Sequence, residues 1–307
     1  MIKKILTYPI SQADQGLTVE QFLRRKGYSH RLVVHLRNTE GGLCCGGTPV
    51  FTIYRLSAGE TLTVTLVETE NSHNIVPTEM DLSIVYEDRD ILVINKAAGV
   101  PIHPSQGHFY HTLANGVAWY CQSQGEPMVY RVINRLDRDT TGLLVIARHM
   151  LSACVLSDQM VKRRIHRQYR AVVMGKTDER GPICRPIGRA EGSTVLRRID
   201  EEHGEEAITH YERLAYDPVR DLSYIRLKLD TGRTHQIRVH MASIGHPLPG
   251  DFLYCPDYTY INRQPLHSYG LAFYHPVTGE PMSFTAEPPE DMRALIPESA
   301  GPSDSDF

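Results

Sequence analysis

A polar loop between two apolar segments carries a carboxylate in a position suited to chemistry. Residues 132–133 precede the loop and residues 143–147 follow it, and both segments have the composition of buried strands. Leu136 is the apolar residue inside the loop, and we expect it to anchor the loop to the core. That anchor would fix the neighbouring Arg135 and Asp137 in orientation. Catalytic groups are often held on such loops by a rigid sheet, and an aspartate is already ionised near neutral pH.

An isolated aspartate in a loop is more often a turn residue whose carboxylate accepts hydrogen bonds from nearby backbone amides. A nucleophilic role therefore needs support from elsewhere in the chain. The segment offers no Ser-His or Cys-His pair, and an aspartate would need no partner base to act as a nucleophile.

The sequence gives little indication of a metal site, a phosphate-binding loop or a disulfide framework. His235 and His240 are five positions apart, whereas a helical zinc pair needs four. The glycines around Cys44 lack the lysine and serine of a phosphate-binding loop. The six cysteines form no C-x-x-C pair, so they indicate neither a zinc site nor a disulfide framework. We expect no metal and no cofactor.

The bulk properties limit the class of protein. The 307 residues suffice for one large and one small domain. No apolar run has membrane-spanning length, and the lysines at positions 3 and 4 are not followed by a signal-peptide core. We therefore expect a cytoplasmic protein without a membrane partner. The net charge of -3 means that any contact with nucleic acid depends on local positive charge.

The first 70 residues form one predicted unit. Apolar spacing predicts helices over residues 17–26 and 30–37, and alternation predicts a strand over 61–66. Two helices followed by a small β-meander resemble the S-four-type RNA-binding domain. In this sequence, Ser29-His30 and Cys45-Gly46 stand where that domain usually has Ser-Arg and Asn-Gly. A small α+β domain for another partner is the alternative interpretation.

The rest of the chain predicts a second, larger domain. Residues 71–79 are a predicted linker, residues 80–297 the catalytic domain and residues 298–307 a disordered tail. Strands are predicted over residues 83–86, 91–95, 143–147, 168–174, 207–214, 223–229, 266–274 and 282–286. Helices are predicted over residues 112–122, 149–162 and 234–244. Short turns between strands favour an α+β fold with a large mixed, mostly antiparallel sheet and flanking helices.

The loop resembles a known signature. Residues 134–144 read Asn-Arg-Leu-Asp-Arg-Asp-Thr-Thr-Gly-Leu-Leu. The RluA family of pseudouridine synthases has His-Arg-Leu-Asp-x-x-Thr-Ser-Gly-Leu-Leu. Asn134 replaces the histidine and Thr141 replaces the serine, and neither position carries the nucleophile. Further segments resemble the family in the same order and cover nearly all of residues 80 to 290, namely residues 94–104, 167–171, 231–240, 245–251, 264–268 and 275–280.

The resemblance implies the pseudouridine synthase fold and assigns roles to individual residues. Asp137 would be the nucleophile, either by attack on the sugar or by abstraction of its 2′ proton. Arg233 would be its charge partner, because a cation at the start of a helix is disfavoured unless a carboxylate offsets the cost. Arg238 is the weaker candidate, since it lies off the predicted helix face. Tyr169 would lie against the base. The remaining substrate-binding residues would be Arg135, Leu136, Thr140, Ile237 and Leu266.

Positive charge clusters before Tyr169. Arg163, Arg164 and Arg167 crowd a predicted helix-to-strand junction, where they could contact RNA phosphates. A charge run is otherwise usually a solvated face. We expect the partner to be a structured RNA, with ribosomal RNA ahead of transfer RNA, and the protein to be a monomer.

Two rival functions remain at this level. A glycoside or nucleoside hydrolase usually needs two carboxylates, and Asp139 could supply the second. An RNA-binding protein without catalysis would use both domains and would tolerate replacement of Asp137.

Overall fold

The computed structural model describes residues 2–68, 72, 74–126 and 128–297. The predicted disordered tail lies outside these residues, as does part of the predicted linker. No helix in the described ranges is long and apolar enough to cross a membrane.

The N-terminal unit is a four-stranded antiparallel sheet with two helices. Its elements are β1 (Ile2–Pro9), α1 (Val19–Arg25), α2 (His30–Asn38), β2 (Leu43–Cys45), β3 (Thr48–Pro49) and β4 (Thr61–Glu68), with strand order β1-β4-β2-β3. Both helices and β4 were predicted. Thr18 and Gln21 form a reciprocal capping box that starts α1, and the Ser29 side chain caps α2. The sequence prediction missed β1, which pairs with β4 along its whole length.

The large sheet has nine strands. They are β5 (Ile84–Glu87), β6 (Ile91–Lys96), β7 (Thr141–Ala147), β8 (His166–Met174), β9 (Arg180–Cys184), β12 (Ile208–Asp217), β13 (Leu222–Leu229), β14 (Leu266–Tyr274) and β15 (Pro281–Thr285). The order is β5-β6-β7-β14-β8-β13-β12-β9, with β15 paired to β14. The β7–β14 pair is parallel and the other described pairs are antiparallel, which confirms the mixed, mostly antiparallel sheet.

Helices and a two-stranded ribbon complete the large domain. The helices are α3 (Leu113–Ser123), α4 (Met150–Val161), α5 (Gln236–Ser243) and α6 (Glu290–Arg293), and the ribbon joins β10 (Ile187–Arg189) to β11 (Arg197–Ile199). The main core lies on the face of the sheet where α3 and α5 pack. The ribbon, β9 and α6 were not predicted.

A glycine allows β7 and β14 to approach closely. Gly142 has φ of +108°, and a Cβ at this position would lie 2.3 Å from the backbone oxygen of Ser268. Only glycine meets both conditions without displacement of the backbone. The start of β7, and therefore the loop before it, is held against β14.

The N-terminal unit packs against the large domain through α4. Leu151 of α4 belongs to the N-terminal hydrophobic core. At the end of β4, the buried Glu68 carboxylate accepts hydrogen bonds from Arg131 Nη2 at 2.7 Å and from the Met150 backbone N–H at 2.6 Å. Lys4 of β1 forms an ion pair with Asp90 at the β5–β6 turn. The two units are therefore in direct contact.

Candidate active site

The loop over residues 134–140 is fixed at its first residue by a side chain. Asn134 is buried, and its Oδ1 accepts the Val145 N–H at 2.9 Å while its Nδ2 donates to the Leu143 oxygen at 3.3 Å. The side-chain amide therefore takes the place of a strand backbone beside β7. At the other end of the loop, Thr141 Oγ1 donates to His267 Nδ1 at 2.7 Å. Both positions where the sequence departs from the RluA signature thus make buried hydrogen bonds.

The side chains of Lys96 and Arg263 hold the backbone of the loop. Lys96 is buried, and its Nζ donates to the carbonyl oxygens of Ala97, Val100 and Arg138 at 2.7 to 3.0 Å. Burial lowers the pKa of Lys96 to about 7, although the nearby Asp139 and Asp137 carboxylates oppose this effect. Arg263 Nη1 donates to the Asp139 carbonyl oxygen at 3.1 Å. These contacts leave the loop little freedom to move.

The carboxylate of Asp137 is bound by a buried arginine. Arg238 Nη1 donates to Asp137 Oδ2 at 2.8 Å, and the side chain of Arg238 is 1% exposed. The Thr140 N–H bonds the backbone oxygen of Asp137, not its carboxylate, so the Asx-turn alternative is wrong. The carboxylate itself is partly exposed and faces a cavity.

A second carboxylate orients Arg238. Asp251 is fully buried and accepts from Arg238 Nε at 2.6 Å and from Nη2 at 2.7 Å. The rings of Phe252 and Tyr254 lie 5.6 and 5.1 Å from the guanidinium. Burial alone would lower the pKa of Arg238, but the hydrogen bond to Asp251 and the charge of Asp137 outweigh it and raise the pKa. Arg238 is therefore a fixed cation, and its Nη1 points at Asp137.

The expected pairing of Asp137 with Arg233 is wrong. Arg233 forms an ion pair with Glu205, and its Nε donates to the carbonyl oxygen of Glu206 at 3.0 Å. The prediction placed Arg233 on a helix face, but α5 begins at Gln236, two residues later than predicted. The residue before the helix, His235, has a left-handed conformation with φ of +58°. Arg233 therefore precedes the helix and does not share a face with Ile237.

The predicted catalytic and substrate-binding residues nevertheless meet in one place. A chamber of about 60 Å³ lies beside the Asp137 carboxylate, between the loop, β8, β14 and the start of α5. All eight residues line it: Arg135, Leu136, Asp137, Thr140, Tyr169, Arg233, Ile237 and Leu266. Tyr169 and Leu266 are 4% exposed, so their apolar surfaces form part of the wall. A planar base would find both an aromatic face and an aliphatic contact here.

A larger cleft of about 800 Å³ adjoins the chamber. The two share Arg135, Leu136, Asp137 and Arg233 in their walls. Arg163 and Arg167 line the cleft as well, whereas Arg164 lines neither space. The predicted basic cluster is therefore divided, with two of its three members at the cleft.

Sequence reasoning missed three residues of the site: His235, Asp251 and the buried Lys96. His235 Nε2 lies 4.0 Å from Asp137 Oδ2, and its side chain is 10% exposed. A signal for Asp251 was present, because a buried arginine needs a carboxylate and Gly250-Asp251 lies in a segment that resembles the family. Nothing in the spacing of His235 pointed to Asp137.

One group of metal-ligand side chains lies away from this chamber. Ligand atoms of Asp88, Asp90 and His275 lie within 4.8 Å of one another. Asp88 Oδ2 accepts from His275 Nε2 at 2.9 Å, and Asp90 Oδ1 contacts Lys4 and, at 2.6 Å, His149 Nε2. These groups are thus partners of one another at the junction with the N-terminal unit.

Comparison with known proteins identifies the family. The family model described as RNA pseudouridylate synthase matches residues 90–243, a range that includes Asp137 and Arg238. The chain belongs to this family. Enzymes of the family are isomerases, and the RluA resemblance of the loop agrees with the match.

Relatives of this synthase extend over most of its length. It is 39% identical over 282 residues to "Uncharacterized RNA pseudouridine synthase YjbO" of Bacillus subtilis (strain 168), covering 91% of this chain and 98% of that protein. It is 36% identical over 276 residues to "Ribosomal large subunit pseudouridine synthase D" of Zymomonas mobilis, covering 84% of each.

Solved structures give the same fold. "Human RNA Pseudouridylate Synthase Domain Containing 1" aligns with a TM-score of 0.56 at 28% identity, covering 67% of this chain and 83% of that one. "Human RNA Pseudouridylate Synthase Domain Containing 4" aligns with a TM-score of 0.56 at 21% identity, which supports the fold alone. The predicted α+β pseudouridine synthase fold is therefore confirmed.

Proposed function

We propose that this synthase converts uridine to pseudouridine in large-subunit ribosomal RNA, with Asp137 as its nucleophile. The observation that carries the proposal is the 2.8 Å bond from Arg238 to the Asp137 carboxylate at the wall of a chamber lined by Tyr169 and Leu266. Several relatives named ribosomal large subunit pseudouridine synthase D support the choice of ribosomal RNA. Transfer RNA is the alternative substrate.

The chemistry needs one ionised carboxylate. The bond from ribose carbon 1 to uracil nitrogen 1 breaks, the uracil anion turns within the chamber, and carbon 5 joins carbon 1. Carbon 5 then loses its proton and nitrogen 1 gains one, which restores the ring. Arg238 donates to one oxygen of the Asp137 carboxylate and so fixes its position. Either attack on the sugar or removal of its 2′ proton uses a free oxygen of this carboxylate.

The base must leave its stack to reach Asp137, which costs a few kcal/mol. Stacking on Tyr169 would return about 1–3 kcal/mol. Arg135 is exposed at the mouth of the chamber and is suited to hold the displaced backbone. Arg163 and Arg167 of the cleft would contact neighbouring phosphates. Leu136, Thr140 and Ile237 would complete the binding surface.

The hydrolase rival has less support. Glycosidases place two carboxylates on either side of the bond that breaks. Asp139 lines neither the chamber nor the cleft, and its carboxylate accepts hydrogen bonds from the adjacent Arg138 at 2.8 to 3.2 Å.

We also propose that the N-terminal unit is an S-four-type RNA-binding domain of a monomeric enzyme. Its two capped helices present exposed Arg25, Arg31 and Arg37. Since the unit packs on α4, its RNA contacts would be held in a fixed relation to the cleft. Removal of these three charges should weaken RNA binding and leave turnover of bound RNA unchanged.

Pseudouridine mapping of total cellular RNA tests the reaction and the target together. Cells lacking this gene are compared with cells that carry the wild type or Asp137→Asn. We expect one or a few sites in large-subunit ribosomal RNA to disappear and only the wild type to restore them. If sites in transfer RNA disappear instead, transfer RNA is the target. If no site changes in any RNA class, the proposal is overturned.

A further inference from the structure

The two oxygens of the Asp137 carboxylate have different surroundings. Arg238 Nη1 lies 2.8 Å from Oδ2, and His235 Nε2 lies 4.0 Å from the same oxygen. Within the described parts of the chain, Oδ1 accepts no hydrogen bond. Both nitrogens thus face one oxygen, and the other has no hydrogen-bond partner among the described residues.

The contacts of Tyr254 favour one tautomer of His235. The Tyr254 hydroxyl oxygen accepts the Arg197 backbone N–H at 3.1 Å and lies 3.0 Å from His235 Nδ1. The hydroxyl hydrogen is then free to be donated to Nδ1. A neutral imidazole that accepts at Nδ1 carries its own proton on Nε2, the nitrogen that faces Asp137.

The surroundings of His235 also favour the neutral ring. Burial lowers the pKa of His235, and the facing cations Arg238 and Arg197 act in the same direction. The carboxylates of Asp137 and Asp251 oppose the effect but do not reverse it. At neutral pH the ring therefore presents a neutral N–H to Asp137.

We propose that His235 is a positioning residue that donates its Nε2–H to Oδ2 of Asp137 when RNA binds, so that Oδ1 is the oxygen that reacts. This inference rests on the proposed role of Asp137. Catalytic hydrogen bonds are often long in the free enzyme and shorten in the substrate complex. Closure of the 4.0 Å gap would stop the carboxylate from rotating and would direct Oδ1 at the sugar. No proton is transferred by His235 in this role.

Two substitutions test the roles of the two ring nitrogens of His235 separately. The amide of His235→Gln reaches the place of Nε2 and keeps a donor toward Asp137. The amide of His235→Asn reaches only the place of Nδ1 and keeps the contact with Tyr254. Asparagine tolerates the left-handed backbone at this position, so strain does not explain a slower Asn variant. His203→Gln, at a side chain that is 85% exposed, is the matched control.

Single-turnover rates on an RNA that the wild type modifies provide the test. We expect His235→Asn to lower the rate constant about tenfold or more, with RNA affinity unchanged, and His235→Gln to recover most of that loss. The wild-type rate should fall at acidic pH as the ring gains a proton, and this fall should be absent in His235→Gln.

A second measurement does not depend on turnover. Nitrogen-15 NMR of the histidine-labelled full chain should show His235 protonated at Nε2 and unprotonated at Nδ1 at pH 7.5. Protonation at Nδ1, or equal rates for the two variants and the wild type, would overturn the inference. An inactive wild type that nevertheless shows the expected tautomer would count against the proposed function instead.

Discussion

Arg238 Nη1 and Asp137 Oδ2 are joined by a 2.8 Å hydrogen bond although the two residues lie 101 positions apart in the chain. The sheet brings them together, since Asp137 precedes β7 and Arg238 lies in α5 after β13. Asp251 accepts hydrogen bonds from Nε and Nη2 of the same guanidinium. Arg238 therefore holds Asp137, the residue at the position of the family nucleophile, and Asp251 in turn holds Arg238.

Replacement of Arg238 should abolish activity. In Arg238→Met, the buried Asp251 loses its partner and Asp137 loses the donor that holds its carboxylate in place. Removal of one member of a buried pair costs about 3–5 kcal/mol of stability. In Arg238→Lys, charge remains but the two-point contact with Asp251 is lost, so we expect a smaller loss of stability and a large loss of rate.

Arg233→Lys is the comparison for this pair. Its partly exposed ion pair with Glu205 contributes about 0–1 kcal/mol. Urea unfolding and single-turnover rates at pH 7.5 should therefore show a smaller loss of stability and of rate for Arg233→Lys than for Arg238→Lys. Equal rate losses at Arg233 and Arg238 would restore the pairing that the sequence suggested.

The buried Lys96 should make stability depend on pH. Its pKa is about 7 in the folded chain and near 10.4 in the unfolded chain, so between these values only the unfolded chain carries the proton. Stability from this group therefore rises as pH increases from 7 to 10.

Urea unfolding of the wild type and Lys96→Met at pH 7, 8, 9 and 10 checks this effect. The unfolding free energy of the wild type, relative to that of Lys96→Met, should increase from pH 7 to pH 10. A difference that stays constant would show that Lys96 keeps its proton in the folded protein.

The division of the basic cluster should appear in the salt dependence of RNA binding. Arg163→Gln and Arg167→Gln each remove a charge from the cleft, and each should reduce the slope of log affinity against log salt by about one. Arg164→Gln changes the same overall charge outside the cleft and should leave the slope nearly unchanged. A larger effect at Arg164 than at Arg167 would place the RNA elsewhere.

Periodicity predicted the large elements because their burial patterns are regular. Strand β7 is buried along its whole length, and α4 follows it with an apolar face. β1 was missed because its residue types do not follow its alternating burial: the apolar Ile5 is 57% exposed while the charged Lys4 turns inward to Asp90. The alternation that identifies a half-buried strand is therefore broken at these two residues.

The resemblance located the chamber but not its charge pairing. All eight predicted catalytic and substrate-binding residues line one space, because each lies in a segment with its own recognisable motif. The pairing of Asp137 depended on where α5 begins, and a left-handed residue at His235 is not visible in apolar spacing. Helix boundaries are the least reliable part of such a prediction, and this one decided between Arg233 and Arg238.

Release of tritium from RNA labelled at carbon 5 of uridine tests the central role of Asp137 most directly. The purified wild type, Asp137→Asn and Asp139→Asn are compared on the same RNA, with affinity measured in parallel. We predict that Asp137→Asn binds RNA and releases no tritium, whereas Asp139→Asn releases it at close to the wild-type rate. Sustained release by Asp137→Asn would contradict the assignment of Asp137 as the nucleophile.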